Sequence, residues 1–218
     1  MAMNVFFRGV VGLASLAMAA LVWAIPAQSE TATPVAAQPP QELVAQTADR
    51  MIAKLKQEKD TIKKQPNRLY ELVNDIVLPH FDFDLMAKRV LGKHWRSANE
   101  KQREEFVAAF RTVLVRTYAN RLTEYTEYKI HYLPMRAEPE PDKATVRSEV
   151  EQPGRTPIAI DYRLALTGSA WKVYDVTIEG VSLVTNYRSN YSTEITQSGM
   201  DALIAKLNQQ NEQNTAAQ

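Results

Sequence analysis

The run His80-Phe81-Asp82-Phe83-Asp84 sets one imidazole and two carboxylates at alternate positions, a pattern that could hold a metal ion or supply an acid–base set. The same carboxylates have a plainer use. Asp82 can cap a short helix through Leu91, and Asp84 sits in its first turn, where negative charge favours the unpaired N–H groups. Capping accounts for both without a ligand, with Phe81 and Phe83 anchoring the loop. A second cluster, His94-Trp95-Arg96 with Lys88, Arg89 and Lys93, gathers positive charge near the end of that helix, where cations favour the dipole. Its functional reading is a surface for an anionic head group or an acidic partner.

Little else in the chain recruits catalysis. There is no nucleophile elbow, no His-Glu-x-x-His and no phosphate-cradling glycine loop, and the three histidines lie far apart. Seven glycines in 218 residues leave few places where backbone N–H groups could converge on an anion. Asp161 is the acid inside the clearest strand, and alternation sends it to the face opposite Ile160 and Tyr162. Asp175 is ambiguous.

The elements that position these residues can be read from period and punctuation. Leu43/Val44, Thr47/Ala48, Met51/Ile52 and Leu55 recur at helical spacing, and Pro66 suits the first turn of a second helix ended by Pro79. Gly92 suits the C-terminus of the helix begun at Asp82. Ser97-Ala98-Asn99-Glu100 reads as a capping box opening the longest helix, expected to run to about Glu124 with Phe106, Phe110, Leu114 and Tyr118 on its apolar stripe. The period then changes to two. Residues 128–136, 143–151, 156–167 and 170–179 read as four strands joined by short Pro/Gly turns, hence an antiparallel meander. After Gly180 a helix carries Val184, Tyr187 and Tyr191, Gly199 interrupts it, and the Gln/Asn-rich end from Asn208 is expected to fray. A sheet with one apolar face needs helices to cover it, so the fold class is α+β.

The N-terminus predicts export. Arg8 precedes an uncharged run, Val10–Ile25, shorter than the ~20 residues a spanning helix needs. Small residues at Ala27 and Ser29 offer cleavage sites, giving a signal peptide over 1–27 and a periplasmic destination. Residues 28–40 read as a disordered Pro/Ala tether, 41–208 as the folded domain and 209–218 as a disordered tail. The chain has no cysteine, which removes disulfides and thiol lipidation. Past Arg8 the charges balance at 25 basic and 25 acidic, a poor profile for nonspecific nucleic-acid binding. What remains is a large apolar surface, and periodicity alone does not distinguish a filled interior from a hollow one.

Several ordered motifs carry a resemblance. Leu78-Pro79-His80-Phe81-Asp82-Phe83-Asp84-Leu85-Met86-Ala87, Val90-Leu91-Gly92-Lys93-His94-Trp95, Trp171-Lys172-Val173-Tyr174-Asp175-Val176-Thr177-Ile178-Glu179-Gly180-Val181-Ser182-Leu183 and Asn186-Tyr187-Arg188-Ser189-Asn190-Tyr191 resemble the MlaC family, also called the toluene-tolerance auxiliary family. The likeness covers roughly residues 40–208. It implies an NTF2-like four-stranded antiparallel sheet packed with helices around an apolar cavity. It also implies a soluble periplasmic phospholipid carrier with lipid as cargo and no cofactor. The implied partners are an outer-membrane lipoprotein–porin complex and an inner-membrane ABC transporter carrying an MCE-domain ring. On this basis Val146, Val150, Ile158, Ile160, Tyr162 and Leu164 are expected to form a sheet wall, and Phe106, Phe110, Leu114, Tyr118, Val184 and Tyr187 a helical wall. Lys88, Arg89, Lys93, Arg96 and Arg188 are the candidates for docking to a partner. The competing readings are an accessory interaction protein with a solid core, and an isomerase- or dehydratase-like enzyme on the same fold.

Overall fold

In the computed structural model, which describes residues 37–216 except 124–126, 137, 139 and 152–153, the chain opens with helix α1 (Pro40–Gln57). Pro40 stands at its start, where a missing N–H costs nothing because the first helical N–H groups have no partner inside the helix. The expected signal peptide and most of the expected tether lie outside the described residues. A short α2 (Lys59–Lys64) and α3 (Asn67–Ile76) follow, with Pro66 leading into α3 as expected, then a 3-10 turn at Leu78–His80.

Asp82 opens α4 (Phe83–Leu91) by accepting a hydrogen bond from Leu85 N at 2.8 Å, and also accepts from Thr167 Oγ1 at 3.1 Å. Capping is therefore the use of this carboxylate. Gly92 stops α4 at φ 55°, a conformation open to glycine. A Cβ there would also come within 2.9 Å of the Arg188 guanidinium. After the single turn α5 (His94–Ser97) comes α6 (Glu100–Leu122). Its capping box lies two residues later than expected. Asn99 accepts from Gln102 N at 2.9 Å and Gln102 Oε1 accepts from Asn99 N at 3.1 Å, while Ser97 Oγ closes α5 on His94 O.

Among the described residues the sheet contains five strands where four were expected: β1 (Lys129–Tyr132), β2 (Lys143–Glu151), β3 (Ile158–Thr167), β4 (Ala170–Ile178) and β5 (Val181–Ser182), hydrogen-bonded in sequence order. All pairs are antiparallel. The fifth is a two-residue edge that hands the chain to α7 (Leu183–Ser198), so it is too short to show a period. The first stops before Pro134, short of the expected 136. Between β3 and β4 the register shifts: Arg163 faces Asp175 and Leu164 faces Val173, leaving Tyr174 as an extra, bulged residue.

Gly199 separates α7 from α8 (Met200–Ala216). Helix α8 runs through Asn208, where the chain was expected to fray, as far as Ala216. Leu203 and Leu207 are buried, and Asn211 Nδ2 donates to Ala109 O at 3.1 Å, which fastens the end of the chain to α6. Among the described residues no helix is long and apolar enough to cross a membrane.

The buried side chains fall into three groups. One joins α4, α6, α7 and α8 around Phe106, Phe110 and Tyr191. A second joins α1 to α3 around Met51, Leu69 and Ile76. The third seats Leu43 and Val44 of α1 on Val146, Leu164 and Val173 of the sheet.

Candidate functional site

Where these three groups meet, side chains stop filling the interior. A partly open cavity of about 540 Å³ lies there, in the ~300–1,000 Å³ range of sites that enclose small molecules. Close-packed cores have few voids larger than a water molecule, so this space is a built feature.

Each wall follows from a local pattern. Val44, Thr47, Ala48, Met51, Ile52 and Leu55 form the α1 wall. Its ends bury large side chains in two different core groups, and the small pair Thr47-Ala48 leaves the middle unfilled. From the sheet come Ile130, Val150, Ile160, Tyr162, Val176 and Ile178, on one face by alternation, and Val173, which the bulge at Tyr174 returns to that face. Helix α6 supplies Leu114, Val115, Thr117, Tyr118, Ala119, Arg121 and Leu122. Phe81 and Phe83, stacked at 5.8 Å, close another side with Met86. They are held there because Asp82 N donates to Val173 O at 2.9 Å and Lys172 Nζ donates to Pro79 O. In the His80–Asp84 run it is thus the phenylalanines that reach the cavity, while Asp82 caps a helix. Among the described residues no three His, Asp or Glu side chains converge as a metal site requires.

Of the residues expected in the walls, Leu114, Tyr118, Val150, Ile160 and Tyr162 line the cavity. Phe106 and Phe110 do not. Both are fully buried, stacked at 5.5 Å, and packed edge-on by Tyr191 at 5.9 and 6.1 Å in the helical core. Val184 is buried in the same group. Val146 and Leu164 share the correct sheet face, but they lie under Leu43 and Val44 and are filled in. Ile158 sits opposite Val150 at the start of β3, half-buried and outside the lining. Tyr187 stands one layer back: its ring meets Phe110 at 5.2 Å and its hydroxyl shares hydrogen bonds with Tyr118 and Thr117. Burial, with Tyr118 adding to it, pushes the Tyr187 phenol up to about 12.

The α1 wall, the Phe81/Phe83 wall and the β4 residues were missed by sequence reasoning. The α1 stripe was visible as a helix, and its Thr-Ala centre was the available sign that the helix does not pack flush.

The five basic residues expected at a docking surface separate into two kinds. Lys88, Lys93, Arg96 and Arg188 are exposed, and Arg188 lies against Gly92, which brings α7 charge to the end of α4. Arg89 is half-buried with its guanidinium 4.4 Å above the Tyr174 ring, a packing role.

Fold and site together define an α+β protein whose antiparallel sheet and helices surround an apolar cavity. Comparison with known proteins gives the family. The family model described as MlaC protein matches residues 45–209. The intermembrane phospholipid transport system binding protein MlaC of Haemophilus influenzae is 29% identical over 182 residues, covering 82% of this chain and 85% of that protein. The toluene tolerance protein ttg2D of Pseudomonas putida is 29% identical over 168 residues, 77% of this chain and 78% of its own. Among solved structures, a phospholipid-binding protein from Ralstonia solanacearum in complex with a phospholipid superposes with a TM-score of 0.75 at 28% identity, covering 82% of this chain and 99% of that one. The chain belongs to the MlaC family.

Proposed function

We propose that this protein is a phospholipid carrier that encloses the acyl chains of its cargo and takes it through the periplasm between membrane complexes. The observation that carries the reading is the 540 Å³ apolar cavity left between three separately packed cores. Its relatives are named for phospholipid transport and toluene tolerance, and its structural neighbour binds a phospholipid. Physical need agrees. A two-chain lipid with about thirty methylenes, at ~0.8 kcal/mol each, faces a barrier of order 20 kcal/mol to crossing water unaided. A dry cleft removes that barrier, and the polar head can remain outside.

On this reading the signal peptide is cut after Ala27 or Ser29, and the residues between the cut and Pro40 serve as a tether. The carrier exchanges lipid with an outer-membrane lipoprotein–porin complex and an inner-membrane MCE-domain ABC transporter, using Lys88, Lys93, Arg96 and Arg188 to dock. The described lining is apolar apart from two threonines, two tyrosines and Arg121, which suits acyl chains. The test is mass spectrometry of the purified protein under native conditions. Added mass matching a phospholipid, lost on denaturation, supports the carrier; a clean protein mass after gentle isolation, with no lipid taken up from vesicles, removes it.

A further inference from the structure

The cavity has one polar corner. Among the described residues that line it, Thr117 and Arg121 are the exposed ones, so they mark where the cavity opens to water. They lie four apart on α6 and so share one face of that helix. Arg121 is also the one charged side chain in the described lining; every other wall residue is apolar, a tyrosine or a threonine.

This corner falls at the last turn of α6, at the negative end of the helix dipole. A bare helix end of that sign would repel an anion. A guanidinium there reverses the local potential, and its fork of N–H donors matches two phosphate oxygens. With five donors it can hold a phosphate and still bond to the protein. Tyr118, one residue along α6 from Thr117, lines the same region, and its hydrogen bond with Tyr187 fixes the rim behind the arginine.

Resting on the reading that the cargo is a phospholipid, we infer that Arg121 is the head-group seat: it takes the phosphodiester at the mouth, so lipid enters tails first and leaves its head beside the end of α6. The Phe81/Phe83 wall then faces tail and never head.

The experiment compares lipids with the same acyl chains, phosphatidylglycerol and diacylglycerol, for uptake by the delipidated full chain, in wild type and in the variants Arg121→Gln and Arg121→Lys. The wild type should prefer phosphatidylglycerol, and Arg121→Gln should weaken that lipid roughly tenfold while leaving diacylglycerol within twofold. Arg121→Lys, which keeps the charge and loses the fork, should restore part of the loss at low salt, and the preference should shrink as salt is raised. Inorganic phosphate alone, in a third arm, should neither bind measurably nor compete. Equal loss of both lipids in Arg121→Gln, no loss of phosphatidylglycerol, or tight binding of inorganic phosphate would each overturn the seat. Failure of the wild type to take up either lipid would instead defeat the carrier reading on which it rests.

Discussion

Asp175 Oδ2 accepts a hydrogen bond from Ser182 Oγ at 2.7 Å, while its Oδ1 accepts from Val184 N at 3.1 Å. Ser182 in turn accepts from Thr185 N at 3.0 Å, so two side chains together satisfy the first turn of α7. The carboxylate is 2% exposed and comes from β4, which ties the helix carrying Tyr187 and Tyr191 to the sheet. Negative charge at a helix start is favourable, so this buried acid has a structural use. Asp175→Ala should cost about 1–3 kcal/mol, since it leaves buried donors unmade. A thermal melt within a degree of wild type would show the cap to be dispensable.

Val150 is nearly fully buried, pairs with Ile130 and Ile158, and lines the cavity. Val150→Trp should push a large ring into the open space and displace lipid from a protein that stays folded, because a void absorbs volume that a close-packed core would not. Native mass spectra of the variant should lose the bound-lipid species; unchanged lipid content with a native circular dichroism spectrum would remove Val150 from the wall.

Phe110→Ala should do the reverse. The residue is fully buried and touches Phe106, Tyr187 and Tyr191, away from the lining. Stability should fall by about 3–5 kcal/mol, while the folded fraction keeps its lipid. Loss of lipid at temperatures well below the melt would place Phe110 in the site after all.

Acid should loosen the seam between the 3-10 turn, α1 and β4. His80 is held below the ordinary histidine value, first by burial and then by the nearby charges of Lys172 and Arg50. His94 shifts the same way, from burial and then Lys93. The unfolded chain therefore binds these protons more readily than the folded one. Their stabilising effect is complete above about pH 6.5 and is lost as pH falls below it toward the lowered folded values. The melting temperature should drop between pH 7 and 5, and the double variant H80Q/H94Q should flatten that slope. An equally steep slope in the double variant would assign the effect to other groups.

Reversing Lys88, Lys93 and Arg188 to Glu should weaken capture by a detergent-solubilised inner-membrane MCE-domain complex and leave bound lipid in place. Arg89 is left intact because its packing on Tyr174 would confound the result. Undiminished capture would move docking elsewhere on the surface.

The architecture was legible because its signals are local. Asp82, Gly92, Gly199 and the alternation along β2 and β3 each act within a few residues. The cavity was legible only in part, because alternation reports a face and not a depth. Val146 and Val150 point the same way, yet the first is roofed by Val44 and the second borders open space. Nothing in a strand's own residues tells where along it the covering helix stops touching. The same holds for Phe110 and Leu114, one helical turn apart on α6: the first is locked among aromatic rings of α7 and the second reaches the void. The bulge at Tyr174 was likewise hidden, since β4 reads as regular until it is set against β3.

Phe83 packs on both the first and the second buried group and Phe81 on both the first and the third, and both rings border the cavity. Any change in the width of the gap is therefore felt first at these two rings, where a close-packed interior would spread it over every contact. On the carrier reading, tails of different length or unsaturation would be accommodated there with no side chain needing to read a particular carbon.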